Sequence, residues 1–181
     1  MAAVRTLLAL MLLAIAGAAA AQRTEAPEAT VKAAYLFRFA GYVEWSASDF
    51  ESPTAPLVIG VIGSDDIAAE LTRIVAGRSV AGHPVAVKRL TESDSTHGLN
   101  MLFAGRDAPR LAQILRAAQS QGTLAVTEVD HGLEMGSVIN FVPLDSRLGF
   151  EVSLDSADRS GHRISSRMLS VAKRVVQKGA G

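Results

Sequence analysis

The stretch Val31–Trp45, VKAAYLFRFAGYVEW, constrains this chain more than any other, because it holds five of the nine aromatic residues: Tyr35, Phe37, Phe39, Tyr42 and Trp45. Read as a helix at about 100° per residue, it sends its charged side chains, Lys32, Arg38 and Glu44, to different sides of the axis. A surface helix gathers its charges on one face, so this one has no wet side and must be covered by the rest of the fold or by another molecule. Each large side chain that is fully buried contributes about 1.5–3 kcal/mol, enough for these rings to anchor a core or an interface. Packing is the commoner use of such a helix. The alternative sets Tyr42 and Trp45, at its end, against a partner.

Residues 1–21 have the layout of an export signal, with Arg5 as the positive segment, Leu7 to Ile15 as a short apolar centre and Gly17 to Ala21 as a small-residue cleavage zone. The apolar centre falls short of the roughly 20 residues that a membrane-spanning helix needs. Cleavage after Ala21 predicts a single mature domain over 22–181 that does not span a membrane. Removing Arg5 from the 18 Lys and Arg leaves 17 against 18 Asp and Glu, a balance that argues against a nucleic-acid partner. The chain has no cysteine, so it forms no disulfide and carries no thiolate metal or redox motif. The predicted destination is the periplasm.

Beyond the aromatic stretch, Ser46 to Pro56 is a connection broken by prolines. Leu57–Ile62 is apolar on both faces, which predicts a central strand, and Gly63-Ser64 turns it into a helix over Asp65–Ala76 that ends at Gly77, with Ser64 as its cap. A strand from Pro84 or Val85, an apolar run Leu99–Ala104, a helix from about Ala108 to Ser120 and a strand over Thr123–Val129 continue the alternation. Gly136–Pro143 and Arg147–Leu154 read as an antiparallel hairpin around Leu144-Asp145-Ser146. Ile164, Met168, Leu169, Val171, Ala172, Val175 and Val176 fall on one stripe of a final helix starting near Ser165. The expected fold is α/β: a single three-layer domain with a mixed, mostly parallel sheet flanked by helices, closed by a C-terminal antiparallel hairpin and helix.

Signals for chemistry are weak. Gly60 and Gly63 precede a helix N-terminus, but Asp65 and Asp66 would repel a phosphate there. Glu128, Asp130, His131 and Glu134 are potential ligands without a second histidine nearby, and read as a solvated loop rather than a metal site. No Gly-x-Ser-x-Gly or His-Glu-x-x-His pattern occurs, and Ser165 or Ser166 reads as a helix cap rather than a nucleophile. No catalytic residue, metal or cofactor is assigned. Arg147 and Glu151 share one face of a strand and are available to a partner, and Asn140 sits among apolar neighbours where its amide must find hydrogen bonds.

Taken together, Lys32–Ala40 with Val43–Trp45, Ile59–Gly63, Gly82–Val85, Leu124–Glu128, Gly136–Phe141, Phe150–Val152 and Ile164–Leu169 resemble, in order, the YfiR family of exported bacterial proteins. The resemblance implies a periplasmic α/β regulator that restrains an inner-membrane diguanylate cyclase by binding its periplasmic sensor region, lowering cyclic diguanylate and biofilm output. Well-known members carry disulfides that a cysteine-free chain cannot share, and Ser137 stands where the family usually has a second glycine. Candidate partner-binding residues are Tyr42, Trp45, Arg147 and Glu151, and a homodimer is left open. The rival expectation is a periplasmic small-ligand binding protein using the mouth of the sheet at Gly63, Ser64 and Asn140.

Overall fold

A computed structural model describes residues 27–144 and 147–177; the expected export signal, the lead-in up to Ala26, Asp145 and Ser146, and the chain from Lys178 onward lie outside them. The aromatic stretch forms α1 (Glu28–Tyr42), which begins with an acid at its positive end and buries Lys32, Ala33, Leu36, Phe39 and Ala40. Arg38 and Gly41 remain exposed, so the helix keeps a narrow wet strip that the sequence pattern did not show. Glu44 and Trp45 lie beyond its end. The Tyr42 carbonyl accepts from the Ser165 N–H at 2.9 Å, and Val43–Glu44 (β1) pairs antiparallel with Arg163–Ile164.

The chain continues through β2 (Leu57–Ile62), α2 (Asp65–Val75), β3 (Ser79–Val80), β4 (His83–Leu90), β5 (Met101–Ala104), α3 (Leu111–Ser120), β6 (Leu124–Thr127), β7 (Ile139–Leu144) and β8 (Arg147–Ser153). It then passes through α4 (Leu154–Arg159), β9 (Arg163–Ile164), α5 (Ser166–Leu169) and β10 (Arg174–Val176). The main sheet has the order β10-β8-β7-β6-β5-β2-β4-β3. From β4 to β7 all neighbours run parallel, the β7–β8 hairpin is antiparallel, and β10 lies parallel to β8. This is the mixed, mostly parallel three-layer α/β fold expected.

Alternation of side chains along each strand divides the core between the faces. Met101 and Phe103 join α1 and α2 in the larger core, whereas Leu102 and Ala104 meet Leu115 and Ala118 of α3 in the smaller one. The larger core centres on Phe39, whose ring lies 5.5 Å from Phe141 and 4.9 Å from Phe150.

Three local expectations change. The final helix is a single turn, α5, capped by Ser165; of the rest of the predicted stripe, Ile164 lies in β9, Val171 and Ala172 in the turn that follows α5, and Val175 and Val176 in β10. β-Branched Val175 and Val176 suit a strand, and the Lys173 N–H donates to the Phe150 carbonyl at 2.8 Å to start the pairing. Helix α3 begins three residues late, since Pro109 disfavours helical backbone at Ala108 and Arg110 has φ +49°. Ser64 precedes α2 without a side-chain cap, its carbonyl accepting from the Ala68 N–H at 3.2 Å.

Immediately before β9 lies His162, 3% exposed, with its ring 5.3 Å from Trp45. Burial pushes its pKa below the ordinary 6.5, against a smaller opposing pull from Asp49. The unfolded chain therefore takes up this proton first as pH falls, so the stability it supports is complete above about 6.5 and is lost below it. Thermal melts should show a Tm that declines from neutral to mildly acidic pH, with a shallower decline in His162→Phe; an unchanged slope would assign the linkage elsewhere. Phe39→Ala should cost about 3–5 kcal/mol in urea denaturation, and Phe37→Ala, half-buried, clearly less.

Candidate functional site

The chain leaves β2 towards β4 through α2, and leaves β5 in the opposite direction through α3, so β2 and β5 bracket a topological switch point. Ligands of open α/β sheets commonly sit outside the carboxyl ends of strands at such a point. Here the two loops close on each other. The Gly105 N–H donates to the Ile62 carbonyl at 2.8 Å. A Cβ on Gly105 would fall 2.5 Å from the Gly63 carbonyl oxygen, and one on Gly63, at φ +74°, would strike the backbone of Ala108.

The open space lies over the ends of β2, β5, β6 and β7 and beside the first turn of α1, as three adjoining cavities that all include Arg106 and Glu128. One of about 630 Å³ has Gly63, Ser64, Asp65 and Asp66 in its wall. A second of about 630 Å³ is more apolar, with Tyr35, Phe141, Pro143 and Leu148 beside Arg147. The third, of about 290 Å³, reaches Asn140, Glu151 and Arg174.

Lys32 stands between the first two cavities. Its ammonium pairs with Glu128 and with Glu28, and the Lys32 and Glu128 side chains are only 8% and 9% exposed. The hydrogen bond from Lys32 holds the Glu28 carboxyl below its ordinary 4.5. Arg106 Nε donates to the Glu128 carbonyl at 3.3 Å, adding a cation at the mouth. Beside the third cavity, the Asn140 Oδ1 accepts from Thr127 Oγ1 at 2.7 Å and the Val129 N–H at 3.2 Å. Its Nδ2 donates to the Val129 carbonyl at 3.0 Å and Glu151 at 3.2 Å. Arg174 grips the same Glu151 with Nε at 2.8 Å and Nη2 at 2.6 Å.

Of the residues singled out from sequence, Gly63, Ser64, Asn140, Arg147 and Glu151 gather along this carboxyl edge. Asn140 and Glu151 are buried and engaged with each other, while Arg147 is exposed. Tyr42 and Trp45 lie elsewhere: the Trp45 indole donates to the Ala40 carbonyl at 2.7 Å and borders a separate cavity with Pro56, Asn100 and Gly122, at the amino ends of the strands. Glu128, Asp130, His131 and Glu134 all border the third cavity, but Glu128 is nearly buried whereas His131 and Glu134 are exposed, 3.4 Å from each other. Among the described residues, no group of three His, Cys, Asp or Glu is placed to hold a metal. His162 Nδ1 lies 3.1 Å from Ser160 Oγ, both residues buried, and the hydroxyl reaches the Ser156 carbonyl at 2.9 Å. Lys32, Glu28 and Arg106 escaped the sequence reading. The signal was a lone lysine on an apolar helix, but its partner Glu128 is 96 residues away.

The strand order and this charged crevice define an open-sheet α/β protein with its polar residues converging at the carboxyl edge. Residues 29–173 match the YfiR/HmsC-like family, and the chain belongs to that family. Among solved structures it is similar to a conserved domain protein from Vibrio cholerae O1 biovar El Tor, at 13% identity and a TM-score of 0.55, a likeness of fold that covers 82% of this chain. The chain spans 60% of the length of that structure. No curated protein matches it significantly in sequence. Among the described residues, no helix is long and apolar enough to cross a membrane.

Removing one partner from a buried ion pair leaves an uncompensated charge. Lys32→Met should therefore cost about 3–5 kcal/mol in urea, and Lys32→Met with Glu128→Leu should recover much of the loss. Additive losses in this double-mutant cycle would show that the pair does not couple.

Proposed function

We propose that this protein is an exported periplasmic regulator that binds and represses the periplasmic sensor region of an inner-membrane diguanylate cyclase, lowering cyclic diguanylate signalling and biofilm formation. The observation that carries this reading is the family match over residues 29–173. The structure supports action by contact. Ser165 caps α5, its Oγ accepting from the Met168 N–H at 3.4 Å, and Ser160 and His162 are buried 3.1 Å apart, so Ser165 and Ser160 have structural roles.

Arg147 is the partner-facing residue that the geometry favours, an exposed guanidinium on the rim of the apolar cavity. Glu151 acts there through Arg174, which it holds in place. Tyr42 and Trp45 would form a second contact at the opposite edge of the sheet. A small-ligand binding protein is the other reading, favoured by the cavity that Gly63 and Ser64 share with Lys32. Asn140 would contribute from the wall of the adjoining third cavity.

Deleting the gene should raise cellular cyclic diguanylate, and the purified protein should retain a membrane cyclase from detergent extracts. Arg147→Glu should weaken that capture about tenfold or more with an unchanged Tm. Unchanged cyclic diguanylate on deletion, with no cyclase retained, would sink the regulatory reading. A rise in Tm with a purified periplasmic metabolite under those conditions would support the ligand-binding one.

A further inference from the structure

Among the described residues, strand β10 forms an open edge of the main sheet. The Lys173 N–H donates to the Phe150 carbonyl. Strand alternation then turns the backbone groups of Lys173 and Val175 towards β8, and those of Arg174 and Val176 outward. Val175 is 40% exposed, and Val171, in the turn entering the strand, is 68% exposed.

Along the sequence from Arg159 onward the charged residues are all of one sign. No Asp or Glu follows Asp158, whereas Arg159, Arg163, Arg167, Lys173, Arg174 and Lys178 do. Arg174 is held by Glu151, and Arg163 stands opposite Glu44 in the β1–β9 ribbon. Arg167 and Lys173, both exposed, supply the outward charge on either side of Val171, and the Lys173 ammonium donates to the Pro143 carbonyl at 3.1 Å.

Cations on an edge strand discourage the sheet from adding to its own copy, because like charges would then face each other. The same cations favour an added strand of the opposite sign. We propose that β10 is a docking edge for an extended acidic segment of a partner protein. The segment pairs with the outward backbone groups of Arg174 and Val176, sets small apolar side chains against Val171 and Val175, and brings carboxylates to Arg167 and Lys173. This names the edge a regulated partner uses and rests on the regulatory reading only in taking that partner to be a protein.

The test is a titration of the purified protein with a short synthetic peptide of alternating Glu and Val, beside one of alternating Lys and Val, read by amide hydrogen exchange. The acidic peptide should slow exchange at Arg174 and Val176 and should bind more weakly as salt rises; the basic one should do neither. Val176→Pro removes an outward N–H without breaking the ladder to β8. That change, and separately the pair Arg167→Glu with Lys173→Glu, should each weaken binding about tenfold or more, with circular dichroism unchanged.

Equal binding of both peptides, or binding indifferent to both variants, overturns the proposal. So does recruitment to phosphatidylglycerol vesicles with no peptide binding, which would make the surface a lipid contact. Protection of the same amides that grows with protein concentration alone would assign the edge to a second copy. The probe is not a cyclase, so its failure leaves the deletion phenotype as a separate test of the regulatory reading.

Discussion

The meeting of Phe39 with Phe141 and Phe150 is the contact on which the rest of the arrangement depends. It fastens the first described helix to the late β7–β8 hairpin, with Tyr35 completing the cluster 6.0 Å from each hairpin ring. Offset and edge-on ring pairs contribute about 0.5–1.5 kcal/mol beyond the area they bury, and they prefer particular geometries. The cluster therefore orients α1 as well as holding it. Lys32, about two turns earlier on the same helix, is carried over the end of β6, where Glu128 receives it.

That ion pair and the Glu151–Arg174 pair stand at two ends of the same crevice, each a nearly buried carboxylate with its own cation. Buried pairs of this kind add little net stability, because desolvation offsets their attraction, but losing one partner is costly. They fix the positions of α1 and β10 relative to the sheet. The contact of Gly105 with Gly63 completes the frame by holding the two loops together at the switch point, and the first cavity opens beside that contact, walled by both loops and by Lys32.

Much of the layout was legible in the chain. Leu57–Ile62 is apolar on both faces because β4 and β5 flank it and helices cover both sides, and the turn at Gly63 leads into α2. The end of the chain was not legible at the same level. Ile164, Met168, Leu169 and Val175 fit a helical stripe as well as they fit a one-turn helix followed by a strand. Periodicity cannot separate these when the deciding bond, from the Lys173 N–H to the Phe150 carbonyl, comes from a strand more than twenty residues earlier. Lys32 was passed over for a related reason: the role of a lone charge on an apolar helix cannot be read until its counter-charge is placed.

The amino-acid sequence by itself determined the alternation of strands and helices, the clustering of aromatic residues in one early stretch, and the absence of thiol chemistry, since each follows from residue type and local spacing. Tertiary structure alone decided which charges are buried, which strand closes the sheet and where the crevice opens. Those outcomes depend on groups far apart in the chain arriving within hydrogen-bond reach, and the cost of burying a charge is set by its partner, which local pattern cannot supply.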